Sequence, residues 1–159
     1  MRYLIAGFAA LVTVALAGVA SAQVPQYGPD VTIEQARKAI AAATAEARKN
    51  SWPVAIAVVD NHGALISFDK LDGTQTASVQ VAIDKAVSAA TYRRSTKVFQ
   101  DGLAGGGAGL RILSLRGASA VEGGLPIVVG GKIIGGIGVS GVNADQDGVV
   151  AKAGADSVP

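Results

Sequence analysis

Apolar positions fall along this chain in distinct rhythms, and each rhythm predicts a different element. Leu4 to Gly18 is an almost unbroken apolar run behind a single cation, Arg2. Ile33, Ala36, Ile40, Ala43 and Ala47 then recur every three or four positions, the period of a helix with one buried face. Thr32 with Gln35 makes a capping-box pattern, and Trp52-Pro53 stops the helix, because proline disfavours helical geometry in the residue before it. A helix over 33–49 is expected. Val54 to Val59 is a short β-branched run that ends in the turn residues Asp60-Asn61-His62-Gly63, and Ala64 to Phe68 returns as its antiparallel partner. Alanines and valines from Ala77 to Tyr92 support a second helix. Ser95 or Thr96 can cap a short third one that ends near Gly102.

Beyond that point glycine sets the pattern. Gly105-Gly106-Gly107 marks a loop or a tight backbone approach, and a short extended segment is expected within Leu110 to Val121. Pro126 to Val129, Gly130-Gly131 and Lys132 to Ile134 have the form of a hairpin with a two-residue glycine turn, its second arm running to about Val139. Asn143 can cap a final helix. The order is helix, two strands, helices, about three strands, helix. Such grouping predicts an α+β fold, an antiparallel sheet of about five strands flanked by helices.

The first apolar run changes the picture of where the protein works. Ala20-Ser21-Ala22 behind it is the small-x-small pattern of a signal-peptidase site, and the run is shorter than the roughly 20 residues of a membrane span. The expected organisation is a signal peptide over 1–22, a flexible leader over 23–31 and one domain over 32–159, in the periplasm or secreted. Cleavage takes 22 of the 159 residues and only one of the 14 basic ones, Arg2, so 13 cations face 12 carboxylates in the mature chain. Near-neutral charge without a basic cluster interleaved with aromatics predicts no nucleic-acid partner, and no later apolar run predicts a membrane partner after cleavage. The chain has no cysteine, so no disulfide supports the fold. With half its residues apolar, it is expected to self-associate as a homo-oligomer.

Candidate chemistry is sparse. Gly136 to Gly141 matches G-x-G-x-x-G, yet only 18 residues follow it, too few for a helix and a returning parallel strand. It reads as a strand that passes close to another backbone or a ligand. His62 is the sole histidine, which rules out a catalytic histidine pair or a multi-histidine metal site within one subunit and leaves one imidazole donor. Asp60 with His62, and Asp145 with Asp147, do not reproduce a calcium loop and read as turn and cap residues. No nucleophile elbow surrounds Ser140. Lys85 lies among Val81, Ala82, Ala86 and Ala89 on the second helix, so its charge must find a partner or a cavity.

Ala55 to Asp60 with Gly63, Asp72-Gly73, Asp84-Lys85-Ala86, Gly123 to Ile127 and Gly135 to Gly141 together resemble the GlcG/HbpS-like family, the haem-degrading domain, from about Thr32 to Gly154. The resemblance implies a profilin-like layout, frequent assembly into dimers or rings, and haem as a cofactor. It also implies Thr96 as an iron contact. The family's iron-binding E-x-x-E feature has no counterpart, since Glu34, Glu46 and Glu122 are far apart.

The leading expectation is an exported haem-binding or haem-handling protein. Its cofactor site would draw on His62, Tyr92 or Thr96 near iron and on Arg93, Arg94 or Lys97 near the propionates. The alternative is an accessory or binding protein for a small organic acid, held by Lys85, Gly124, Gly138 and Ser140. A small-metabolite enzyme using Asp60, Asp72 and Lys85 is a third and weaker reading.

Overall fold

The computed structural model describes residues 24–159, so the expected signal peptide over 1–22 and Gln23 behind it lie outside the described residues. The first helix, α1 (Ile33–Lys49), begins as its sequence predicts: Thr32 Oγ1 accepts the Gln35 N–H at 3.2 Å and Gln35 Oε1 accepts the Thr32 N–H at 2.9 Å. Of its periodic residues, Ala36, Ile40, Ala43 and Ala47 are buried, while Ile33 in the first turn is 38% exposed. Next come β1 (Ala55–Val59), β2 (Leu65–Lys70), α2 (Ser78–Tyr92) and α3 (Thr96–Ala104), the last capped by the Ser95 hydroxyl. The chain ends in β3 (Gly124–Val129), β4 (Lys132–Ser140) and α4 (Ala144–Asp156).

The strands form one antiparallel sheet in the order β2-β1-β4-β3. Both faces of its centre are covered, which is why β1 is apolar throughout instead of alternating. Ile56 and Val58 pack with Ile137 and Val139 against alanines of α1 and Val150 and Ala151 of α4. Ala55, Ala57 and Val59 face the other way, onto Ala82, Ala86 and Ala90 of α2. This second layer is built from small residues, so α2 lies close to the sheet. A Cβ on Gly138 would strike the Ala82 carbonyl and the Ala86 backbone. The G-x-G-x-x-G run is therefore a close-packed strand. The hairpin between β3 and β4 turns at Gly130 and Gly131 with φ of 56° and 75°, the left-handed pair that a two-residue turn of this kind requires.

Three expectations need correction. The sheet has four strands, not about five. The segment expected to be extended within Leu110 to Val121 starts instead as a 3-10 helix, Gly107–Ser114. Gly107, Ala108 and Gly109 offer a sheet face no large side chains, and Gly109 packs its backbone on Gly102 of α3, which draws the segment away from the sheet. The leader is extended but docked. Ile133 donates to the Gln26 carbonyl at 2.8 Å, while Gly28 and Val31 donate to the Ile133 and Ile134 carbonyls at 2.7 Å each.

Candidate functional site

The docked leader and the β1–β2 turn enclose a cavity of about 470 Å³, lined by Tyr27, Pro29, Asp30, Asn61, His62 and Thr91 among others. Asp60 shapes the turn: its Oδ1 accepts the N–H of His62 at 2.8 Å and of Ala64 at 2.9 Å. The carboxylate is thus a turn cap, and the His62 side chain is exposed at the cavity, with only its backbone N–H bonded among the described residues. Tyr27 forms the opposite wall. Its hydroxyl donates to the carbonyls of Ala90 at 3.1 Å and Thr91 at 3.0 Å, at the end of α2, where C-terminal carbonyls lack helical partners. The Arg93 guanidinium lies 5.4 Å from the centre of the Tyr27 ring, placed there by the left-handed turn (φ 55°) that ends α2. Asn61 donates its Nδ2–H to the Gly28 carbonyl at 3.1 Å, but its buried Oδ1 has no partner among the described residues. An unpaired buried acceptor in a cavity wall suits a ligand that brings a donor.

The remaining expected haem residues do not join this cavity. Tyr92 stacks edge-on with Phe99 at 5.2 Å between ring centres and donates to the Arg116 carbonyl at 2.7 Å. The Arg94 guanidinium lies over the Phe99 ring, 5.7 Å from its centre. Lys97 pairs with Asp101 at 2.8 Å and with Glu122 at 3.7 Å, on the surface. Thr96 is fully buried, and its Oγ1 accepts the Gly124 N–H at 2.9 Å. That hydroxyl anchors the start of β3 to α3. The six residues thus separate into His62 at the cavity, Arg93 over the Tyr27 ring with its Nη1 donating to Pro25 and Gln26 of the leader at 3.5 Å each, Tyr92, Arg94 and Lys97 around α3, and Thr96 in the interior.

The small-anion set is likewise engaged. Lys85 is 1% exposed, and its Nζ donates to Asp147 Oδ2 at 2.8 Å and to the Val139 carbonyl at 2.9 Å. Burial holds the Asp147 carboxyl above its ordinary value of 3.8, although Lys85 and the N–H groups of Val142 and Gly141 pull it down. Gly124 is capped by Thr96, Gly138 lies under α2, and Ser140 Oγ donates to Ser78 Oγ at 3.2 Å. Among the described residues their polar groups are held by these contacts and do not converge on one pocket. Asp72 lines a separate cavity of about 420 Å³ with Arg48 and Trp52, away from both Asp60 and Lys85. Among the described residues no group of three histidines or carboxylates could hold a metal ion.

The sequence singles out none of Tyr27, Asp30, Asn61 and Thr91 as a ligand residue. The four meet through contacts 30 or more residues apart, for which local pattern carries no signal; Asn61 to Asp30 spans 31 residues and Tyr27 to Ala90 spans 63.

A family model described as haem degrading protein HbpS-like matches residues 31–156, nearly all of the described chain. The chain belongs to the HbpS-like family. Within reach of this HbpS-like chain, Protein GlcG of Escherichia coli strain K12 is 39% identical over 107 residues, 67% of this chain and 78% of that protein. The crystal structure of a double mutant of Streptomyces reticuli HbpS is 30% identical, with a TM-score of 0.76, covering 95% of this chain and 99% of that one. A PduOC–haem complex at 24% identity has the same fold, with a TM-score of 0.73 over 81% of this chain and 95% of that one. The antiparallel sheet between helices is thus the family's architecture.

Proposed function

We propose that this HbpS-like protein is exported and binds haem, which it holds at the cavity between the leader and the β1–β2 turn. The observation that carries the reading is that the sole imidazole of the chain, His62, stands exposed in that cavity wall with its ring unbonded among the described residues. An imidazole nitrogen is the strongest axial donor to haem iron that these residues offer. The Tyr27 ring and Pro29 supply apolar contact for a porphyrin face, and Arg93 beside Tyr27 supplies a cation for a propionate. Thr96 does not fit the ligand role, since its hydroxyl is buried and committed to Gly124.

The test is a haem titration followed in the Soret region. His62→Ala should weaken binding about tenfold or more and change the spectrum, as expected on losing an axial nitrogen. Arg93→Gln should weaken binding without changing the spectrum. Thr96→Ala should leave the spectrum as it is. An unaltered spectrum and affinity in His62→Ala would sink this site assignment, and absence of any haem binding would remove the haem reading.

A further inference from the structure

The 3-10 helix Gly107–Ser114 buries none of its residues, although Leu110, Ile112 and Leu113 are all apolar. Leu113 is 73% and Leu110 53% exposed. Residues three apart eclipse one another in a helix of three residues per turn, so these two leucines form one outward ridge. Exposed Val98 of α3 and exposed Leu115 extend the apolar surface, and both line a cleft of about 380 Å³ with Arg94 and Arg111. Arg116 follows immediately. Among the described residues none of these three arginines forms an ion pair, while the nearby acids Asp101 and Glu122 are held by Lys97. The ridge has a firm support: Gly109 rests on the backbone of Gly102, and the Tyr92 hydroxyl holds the Arg116 carbonyl at 2.7 Å.

We infer that this face, built by α3 and the 3-10 helix, docks on an anionic lipid surface. An anionic bilayer supplies phosphates for the unpaired guanidiniums and acyl chains for the leucine ridge at the same time. A second copy meeting this face across a two-fold axis would set its arginines against their own counterparts. An uncharged apolar partner would leave them unpaired. Docking of this kind is peripheral, as no described helix is long and apolar enough to cross a membrane. It runs against the sequence-based expectation of no membrane contact, and it uses none of the residues of the His62 cavity, so it stands or falls apart from the haem reading.

Cosedimentation of the purified protein with vesicles of phosphatidylglycerol and phosphatidylcholine, against vesicles of phosphatidylcholine alone, tests it. Partition onto the anionic vesicles should be about tenfold stronger and should fall with added salt. The pair Leu110→Ser and Leu113→Ser, and separately the pair Arg111→Gln and Arg116→Gln, should each lower that partition about tenfold. These side chains are exposed, so thermal unfolding should be unchanged in both variants, which keeps a lost affinity distinct from lost folding. Equal partition onto both vesicle types overturns the inference, as does an anionic preference that neither pair of substitutions alters. A leucine variant that breaks up a self-associated species and leaves vesicle binding intact also overturns it, assigning the face to a second copy.

Discussion

Lys85 carries its charge into the interior because Asp147 meets it there, and the two members of the pair are not equivalent. If Lys85 is removed, Asp147 can take up a proton and become neutral, a change that burial already favours. If Asp147 is removed, the ammonium keeps only the Val139 carbonyl and stays buried. Asp147→Ala should therefore cost about 3–5 kcal/mol, the range for a broken buried pair, and Lys85→Met distinctly less. Urea unfolding of the two variants checks the order. The raised carboxyl also fixes a sign. Folded protein holds the Asp147 proton more tightly than unfolded protein, so this group contributes stability fully below pH 3.8 and loses it as pH rises through the raised folded value. Asp147→Asn should flatten the fall in stability just above pH 3.8 in the same unfolding experiment. The lysine's need for a partner was legible from its apolar neighbours. The partner's identity was not, because it lies 62 residues away and looked like a helix-cap acid.

At the scale of elements, the contact between α2 and β4 depends on missing side chains. Gly138→Ala puts a methyl into the Ala82 carbonyl, and neither the helix nor the central strand can move aside without disturbing the other face. The cost should be about 3 kcal/mol or more, at the upper end for overpacking. Gly131→Ala makes the opposite case: nothing stands near its Cβ, so only the left-handed φ of 75° resists, at about 1–2 kcal/mol. Chemical denaturation of both variants should show the buried glycine to be the costlier one. Elements whose signals are local were read correctly. The capping box starts α1 where Thr32 and Gln35 place it, and Gly130-Gly131 turns the β3–β4 hairpin. The 3-10 helix was misread because what determines it is Gly109 resting on Gly102, a contact between elements.

For the molecule as a whole, the proposed export predicts that protein recovered from the periplasm or medium lacks residues 1–22, with Gln23 at its start. Intact mass spectrometry reads this directly, and a recovered chain that still begins at Met1 would count against it. The sequence by itself determined the α+β class, most element boundaries, and the family to which the chain belongs. Those follow from local periodicity, caps, turns and short motifs, all of which act between neighbours in the chain. It also identified His62 as the only imidazole and Lys85 as a charge in need of a partner. Only the tertiary structure decided how the candidate residues divide. Folding of the leader against β4 brings Tyr27 to the end of α2 and makes a cavity beside His62. The same fold buries Thr96 under Gly124 and seals Lys85 with Asp147. Adjacent residues such as Tyr92 and Arg93 part company at a helix end, where one left-handed residue sends Arg93 to the leader while Tyr92 packs on α3. Which surface a side chain reaches depends on what packs against its element, and that is set by contacts tens of residues apart.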